Sequence, residues 1–375
     1  MPHIHITLVG GYIAPVYNGI IGTKPDQVIY IYSTETEKGV DKVRNELLRN
    51  GYNYPSRRVP VDATNRNEII EKISKLRSMH SDDKVSINIS SGTKAWTYHI
   101  IKLFADHPDT QFFYVEQNNL MQNLNTDESV EIPFDIDVQM RLNDIELQYT
   151  RFEQYTDADI ECIEKIRKLR AFHPQAFNEL TQDLTAYANK TMSDTKDYLS
   201  HLSWNRENKS FEIQLIKKNG QSMIEILSSP NIRSLLLNTG WFEFEIANYL
   251  KEWSQTREIR MNCRFKAKNK ADKNEVDILI NAGKRMLFVE CKTKIANITD
   301  IDKFRSVVRN YGSLSSKGIF ITDESIEKNE TIKAKMADNN MNYFSIKDLD
   351  NTQPQNIKKQ LFRKLDDLIS HHSIR

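Results

Sequence analysis

Lys84-Val85-Ser86-Ile87-Asn88-Ile89-Ser90-Ser91-Gly92-Thr93-Lys94 is the stretch that decides the fold of the amino-terminal part of this chain. Val85, Ile87 and Ile89 alternate with Ser86, Asn88 and Ser90, the period-two pattern of a strand, and a helical run through Ile100, Ile101 and Phe104 begins directly afterwards. A strand that ends in serine, glycine, threonine and lysine and turns into a helix gathers backbone amides, hydroxyls and an ammonium at one point, which suits a phosphate. The same residues also suit a plain helix cap beside a solvated lysine, and pattern alone leaves both readings open.

Working outward, the same rhythm recurs. Ile4 to Val9 is an apolar run ending at Gly10-Gly11, and Val28 to Tyr32 is rich in strand formers and ends at Ser33-Thr34. Val40, Val43 and Leu47 recur at helical spacing, with Gly51 placed as a left-handed cap. Val59 to Val61 reads as a strand weakened by Pro60; Asn65 and Glu68 resemble a capping box that opens a helix burying Ile69, Ile73 and Leu76; Gln111 to Val115 supplies a fifth strand. Strands joined by helices imply right-handed crossovers and a mainly parallel, Rossmann-like sheet over residues 1–115. Ligands of such sheets sit at the carboxyl ends of strands, where Gly10-Gly11-Tyr12, Ser33-Thr34-Glu35 and Ser90 to Lys94 converge. Neither a GxGxxG nor a GxxxxGK[ST] pattern is present, so ordinary dinucleotide and NTPase readings lose their main support.

The length of 375 residues implies two or three domains at about 150 residues each. With 39% hydrophobic and 27% charged residues the chain can bury sizeable cores, and a net charge of +1 gives no global attraction to nucleic acid or membrane. Cys162, Cys263 and Cys291 are odd in number and widely spaced, which argues against a disulfide framework or a zinc site. The nine histidines are scattered, and His371-His372 has no neighbouring ligand pattern. With no leader pattern and no long apolar run, a cytoplasmic location is expected.

The strongest chemical signal lies further on. Asn274-Glu275-Val276-Asp277-Ile278-Leu279-Ile280 and Leu287-Phe288-Val289-Glu290-Cys291-Lys292-Thr293-Lys294 read as two apolar strands around a turn at residues 281–285, an antiparallel hairpin in which Asp277 and Glu290 can share a cation. Period two puts Glu290 and Lys292 on one face, while Cys291 points the other way and offers that face only its backbone carbonyl. Carboxylate and carbonyl oxygens suit Mg²⁺ or Mn²⁺, and a lysine beside them can position water or stabilise charge, which is phosphodiester-hydrolysis chemistry. A salt-bridged hairpin with no catalytic role is the competing reading.

Upstream, Gly240-Trp241-Phe242-Glu243 opens an apolar helix through Ile246, Tyr249 and Leu250; Glu243 is a candidate site residue with Glu245 as its competitor, and Trp241 reads as core. Arg260, Arg264, Lys266, Lys268 and Lys270 form either a phosphate-gripping stripe or a solvated strand. Phe134 to Val138 reads as a strand, residues 158–190 as helical with a second helix after Pro174, and Ser210–Leu215 with Ser222–Leu227 as a hairpin. Strands at Gly318–Thr322 and Asn342–Ile346, with helices at Asp302–Arg309 and Ile357–Leu368, complete an α/β core.

Asn88 to Lys94 resembles the signature strand-loop of CARF domains, Rossmann-fold sensors of cyclic oligoadenylates, over about the first 150 residues. Asp277 with Glu290-Cys291-Lys292 resembles the PD-(D/E)xK nuclease motif, Val276 standing in the place of the proline, and Gly240-Trp241-Phe242-Glu243 resembles the Gly-Trp-Leu-Glu element of CARF-fused nucleases. Together they identify a CARF-domain PD-(D/E)xK effector nuclease of type III CRISPR defence. The resemblance implies an α/β chain divided into a sensor (1–150), a connecting region (151–228) and a restriction-endonuclease-like domain (229–375). It implies a homodimer binding cyclic tetra-adenylate through Gly10, Gly11, Tyr12, Ser33, Thr34, Ser90, Ser91, Gly92, Thr93 and Lys94. It further implies Mn²⁺ or Mg²⁺ held by Asp277, Glu290 and the Cys291 carbonyl, catalysis by Glu243, Asp277, Glu290 and Lys292, and cleavage of single-stranded DNA and RNA with possible nicking of duplex DNA. The alternative is a CARF-type transcription regulator with an inactive nuclease-like domain, which predicts no metal-dependent cleavage.

Overall fold

The computed structural model describes residues 1–181, 190–195, 198–236, 240–267, 274–295, 297–313 and 315–370. The amino-terminal part runs β1 (His3–Val9), α1 (Ala14–Thr23), β2 (Gln27–Tyr32), α2 (Glu37–Arg49), β3 (Ser56–Pro60), α3 (Arg66–Met79), β4 (Lys84–Asn88), α4 (Lys94–Phe104), β5 (Thr110–Val115), β6 (Leu120–Asn123) and β7 (Ser129–Glu131). These strands form a seven-stranded sheet in the order β3-β2-β1-β4-β5-β6-β7. The first five pair in parallel and the last two in antiparallel fashion. Helices cover both faces, so β4 is buried on its polar as well as its apolar side, and its polar residues are hydrogen-bonded there as burial demands: Ser86 Oγ meets His5 Nδ1 at 2.9 Å and Asn88 donates to the Pro15 carbonyl at 2.8 Å.

The chain order reverses between β1 and β4, which are neighbours. A ligand crevice of an open parallel sheet forms at such a point.

Residues 136–142 form a helix, α5 (Ile136–Leu142), and not the strand expected at Phe134 to Val138. Asp135 caps it, its carboxylate accepting the Val138 N–H at 3.0 Å. The alternation that suggested a strand arises because the helix is buried on two sides. Ile136 and Met140 pack into the core of the carboxyl-terminal sheet, Val138 and Leu142 into that of the first domain.

The rest of the chain is β8 (Ile145–Arg151), α6 (Asp157–Phe172), α7 (Pro174–Thr181), β9 (Lys190–Thr195), β10 (Tyr198–Asn205), β11 (Ser210–Ile216), β12 (Ser222–Ser228), α8 (Ile232–Leu236), α9 (Gly240–Lys251), β13 (Glu258–Ala267), β14 (Asn274–Asn281), β15 (Met286–Lys292), α10 (Ile298–Tyr311), β16 (Lys317–Thr322), α11 (Glu330–Asp338), β17 (Asn342–Ser345) and α12 (Pro354–Ser370). Strands β9 to β12 make an antiparallel sheet, and a six-stranded sheet runs β17-β16-β15-β14-β13-β8.

Two departures from the expected division follow. Strand β8, which straddles the boundary drawn at residue 150, pairs antiparallel with β13 at the edge of the carboxyl-terminal sheet. Residues 151–228 are no simple connection either: Ile163 and Leu169 of α6 and Phe211 and Leu215 of β11 share one core with Phe244 and Leu250 of α9 and Leu361 of α12. That core lies against Ile278, Val289, Cys291 and Ile321 on one face of the six-stranded sheet, while α10 and α11 cover Leu279, Phe288 and Phe320 on the other. Among the described residues no helix is long and apolar enough to cross a membrane.

Candidate active site and the amino-terminal loop cluster

Strands β14 and β15 pair Ile278 with Val289 and Leu279 with Phe288, a register that carries Asp277 to a place opposite Glu290. There the ladder gives way to a side-chain bond: Asp277 Oδ2 accepts the Cys291 N–H at 2.7 Å. Alternation sends the Cys291 side chain into the core beneath α9 and leaves Glu290 and Lys292 on the α10 side, joined at 2.8 Å between Glu290 Oε1 and Lys292 Nζ. Helix α9 brings Glu243 close enough for Asp277, Lys292 and Glu290 all to act on its charge.

Asp277 is buried, Glu243, Glu290 and Lys292 are half-buried beside it, and loss of solvent dominates their electrostatics. Glu290 is pushed up to about 7 by loss of solvent and by Asp277, although the Lys292 ammonium opposes this. Glu243 is raised well above the usual carboxylate range by burial and then Asp277, and Asp277 is raised by burial. Burial alone would lower Lys292, but Asp277 and Glu290 hold it above its ordinary value. Three carboxylates thus face one ammonium, a cluster with negative charge in excess of its compensation.

A divalent cation fits this chemistry through two carboxylates and a carbonyl, since such ions keep several waters and seldom sit in an all-protein cage. Among the described residues no group of three or more His, Cys, Asp and Glu side chains is placed to hold a metal ion. The Cys291 thiol faces away and burial keeps it protonated, so the donors are hard oxygens.

Asn262 is a site residue that motif reading does not reach. In β13, Met261 pairs with Ile278 and Cys263 with Val276, so Asn262 lies opposite Asp277, and its φ of 50° places it in the left-handed region. The pairing of β13 with β8 shifts at this point. Left-handed backbone in a non-glycine residue inside a strand is strained and collects at functional sites. Asn262 stands beside Tyr155, whose phenol is raised by burial and by Glu243 and is lowered in turn by Asn262. The available signal was asparagine within an apolar strand, a residue depleted in strands and enriched in left-handed conformations.

Glu245, the competitor of Glu243, belongs elsewhere. It accepts from Arg167 Nε at 3.0 and 2.9 Å and from Tyr249 at 2.9 Å, while Arg167 and Arg170 both hold Asp323. Trp241 lies beneath these two guanidiniums at 4.8 and 5.2 Å and is buried. The basic stripe also divides: Arg260 turns inward, Arg264 pairs with Glu275 at 3.3 Å, Lys266 is exposed, and Lys268 and Lys270 fall outside the described residues.

At the switch between β1 and β4, Gly10 N donates to Ser91 Oγ at 3.0 Å and Ser91 Oγ donates to the Tyr12 carbonyl at 2.9 Å, which locks two loops together. A Cβ at Gly10 would stand 2.6 Å from Gly92 N; at Gly92, where φ is +83°, it would stand 2.8 Å from Leu8 Cβ. Lys94 opens α4 and is exposed, and Gly11 is open. Other hydroxyls are committed: Thr93 Oγ1 caps α4 by accepting Trp96 N–H, Ser90 Oγ donates to Asn88 and accepts Val115 N–H at 2.6 Å, and Ser33 caps the turn that contains Thr34. Gly10 to Tyr12 and Ser91 to Lys94 therefore meet in one cluster, with Ser33 and Thr34 one strand away.

Helix α5 touches this cluster and the nuclease sheet at once. Gln139 stands close enough to the Tyr12 phenol to act on its affinity for a proton. Arg141 grips Glu46 of α2 with Nε at 3.0 Å from both oxygens and Nη2 at 2.7 Å. Asp137 takes Arg260 of β13 in a bidentate pair at 2.6 and 3.0 Å, and Arg260 stacks 4.3 Å from the Tyr149 ring. Because Arg260 pairs with Leu279, this contact ends two residues from Asp277.

The chain resembles several solved structures over nearly its whole length. Can2 from Sulfobacillus thermosulfidooxidans in complex with cyclic tetra-adenylate superposes with a TM-score of 0.67 at 16% identity over 98% of this chain and 99% of that one. Protein VC1899 from Vibrio cholerae gives 0.70 at 13% identity over 96% and 97%. A type III CRISPR defence DNA nuclease activated by cyclic oligoadenylate gives 0.52 at 14% identity over 85% of this chain and 45% of that one. No curated protein sequence matches. Residues 16–144 match the model of the Card1 CARF domain, and residues 231–359 match that of the Card1-like endonuclease domain. The loop cluster lies mostly within or beside the first segment and the carboxylate cluster within the second, so the chain belongs to the family of nucleases that join a CARF domain to a Card1-like endonuclease domain.

Proposed function

We propose that this protein is a metal-dependent endonuclease of type III CRISPR antiviral defence, activated by cyclic tetra-adenylate, that works as a homodimer and cleaves single-stranded DNA and RNA. The observation that carries the catalytic half is the cluster of Asp277, Glu290 and Glu243 around Lys292, in which burial raises every carboxyl and Asp277 adds to it at Glu243 and Glu290. The activator is supported by the cyclic tetra-adenylate bound to Can2 and by the locked loops at the switch point.

Asp277, Glu290 and the Cys291 carbonyl would hold Mn²⁺ or Mg²⁺, which supplies polarisation of the scissile phosphate and of a water. The chain's own groups do the rest. Lys292, kept protonated by its carboxylate neighbours, places a fixed positive charge where negative charge grows on the phosphate. Glu243, whose affinity for a proton is raised by burial and by Asp277, would serve as an orienting group for water or phosphate beside the cluster. The Asp277 bond to Cys291 N–H fixes that carboxylate, which reduces the reorganisation needed during reaction.

In the first domain, the amides of Gly11 and Gly92, the Tyr12 ring and Lys94 would meet phosphates and bases of the ring, while Gly10, Ser33, Thr34, Ser90, Ser91 and Thr93 shape the loops. Activation requires that the ring bind the active arrangement more tightly than the inactive one. Helix α5 supplies a material connection, since it contacts Tyr12, Glu46 and Arg260.

The test is cleavage of labelled single-stranded DNA and RNA with Mn²⁺ or Mg²⁺, with and without cyclic tetra-adenylate, beside Glu290→Gln and Lys94→Ala. Ring-dependent cutting that Glu290→Gln abolishes and Lys94→Ala moves to higher ring concentration is expected. Cutting indifferent to the ring overturns the sensor, and tight ring binding without cutting in either metal favours a regulator.

A further inference from the structure

Beyond Lys292, the carboxyl ends of β15, β16 and β17 enclose a cavity of about 350 Å³ lined by Lys294, Ile295, Glu324, Ser325, Ile326, Lys328, Asn329, Ile332 and Lys347. Its position relative to the carboxylate cluster is fixed by the backbone. Asp323 N donates to the Lys292 carbonyl at 3.3 Å, Glu324 N to Thr293 at 3.0 Å and Lys347 N to Asp323 at 3.1 Å, so one wall hangs from the strand that bears Glu290 and Lys292. The apolar floor, Ile295, Ile326 and Ile332, packs into the same core as Phe288 and Phe320, which puts the cavity on the sheet face that Glu290 and Lys292 share.

Its charge is one-sided. Lys294, Lys328 and Lys347 stand against Glu324, and that carboxylate is paired with Lys347 at 3.3 Å. Nearby Glu327 is taken up by Lys333 and Tyr343. Lys294 and Lys328 are exposed and form no ion pair among the described residues. Ser325 lines the cavity between them, with its Oγ turned out of solvent reach.

An enzyme that cuts inside a strand must hold the chain beyond the scissile phosphate, and each neighbouring phosphate needs a cation or a donor. We propose that this cavity receives a backbone phosphate of the single-stranded substrate next to the one being cleaved, with Lys294 and Lys328 as its charges. This rests on the endonuclease reading above and extends it to the path of the strand across the sheet.

The test measures binding of a short fluorescent oligothymidylate by anisotropy across a salt series, with cyclic tetra-adenylate present and cleavage removed by Glu290→Gln. The parent is compared with the same protein carrying Lys294→Ala and Lys328→Ala, and with a control carrying Lys38→Ala and Lys75→Ala on exposed positions of the first domain. The double substitution at the cavity is expected to weaken binding and lower the slope of log K against log salt by about 0.7, the value for one phosphate contact on a single strand. The control is expected to keep the parental slope. Parental binding with an unchanged slope in the cavity variant, or an equal loss in the control, overturns the cavity alone. A parent that binds no strand at all overturns the endonuclease reading and the cavity with it.

Discussion

Glu290→Gln in metal-free protein gives the most direct physical test of the carboxylate cluster. Glu290 titrates at about 7 in the fold against an ordinary value of 4.5. At about 1.36 kcal/mol per pH unit, that difference is worth roughly 3 kcal/mol. The sign follows from proton counts. Between pH 4.5 and about 7 the folded protein holds a proton on Glu290 that the unfolded chain has released, so stability is full below 4.5 and is lost as the pH rises to about 7. The pull of Lys292 is already contained in this figure, because the ammonium is one of the charges acting on the carboxylate. Glutamine carries no such proton. In urea unfolding with a chelator present, the stability of the variant relative to the wild type should therefore rise by about 3 kcal/mol between pH 4.5 and 8. Adding Mn²⁺ at pH 8 should reverse the order, since a cation bound only by the folded wild type stabilises it by mass action. Parallel pH curves for the two proteins would refute the electrostatic account of the site.

Asn262→Gly should leave stability within about 1 kcal/mol, whereas Asn262→Val should lose about 1–3 kcal/mol in thermal unfolding and abolish cleavage while ring binding persists, because a β-branched residue resists a φ of 50°. Gly92→Ala should cost at least about 1 kcal/mol and weaken cyclic tetra-adenylate binding measured by calorimetry, since its Cβ would crowd Leu8 and Trp96 at a φ of +83°. Asp137→Asn keeps the size of α5's contact but halves the charge compensation of Arg260; ring affinity should be retained while ring-dependent cleavage falls several-fold, and unchanged activation would remove α5 from the link.

Much of this architecture was legible because its patterns are local. The run from Val85 through Phe104 carries strand, loop and helix in about twenty residues, and the hairpin of β14 and β15 announces its register through alternation and a short turn. What stayed hidden depends on partners far away in sequence. Helix α5 looks extended because two domains bury its opposite sides, and β8, with Glu146, Gln148 and Thr150 between less polar neighbours, is recruited by a strand more than a hundred residues later. Residue type misled in the same way. Arg260 reads as a phosphate contact until Asp137 is seen to take it, and the hydroxyls of Ser90 and Thr93 read as ligands until the sheet edge and the helix cap claim them. Asn262 carries its meaning in a backbone angle, which spacing does not record.

The membership of β8 in the distal sheet sets where these modules can be separated. A nuclease fragment begun at residue 229 would leave β13 as a bare edge, its amides and carbonyls open to any passing strand, and would strip α6 and β11 from the core that α9 and α12 share. Such a fragment should aggregate instead of cutting. Gene fusions or laboratory chimaeras that exchange the sensor must therefore be spliced ahead of residue 145, so that the donor nuclease arrives with its own edge strand, and the graft must also rebuild the apolar seat that Val138 and Leu142 occupy. In this chain the heritable unit of the cutting module begins inside what looks like the tail of the sensing one.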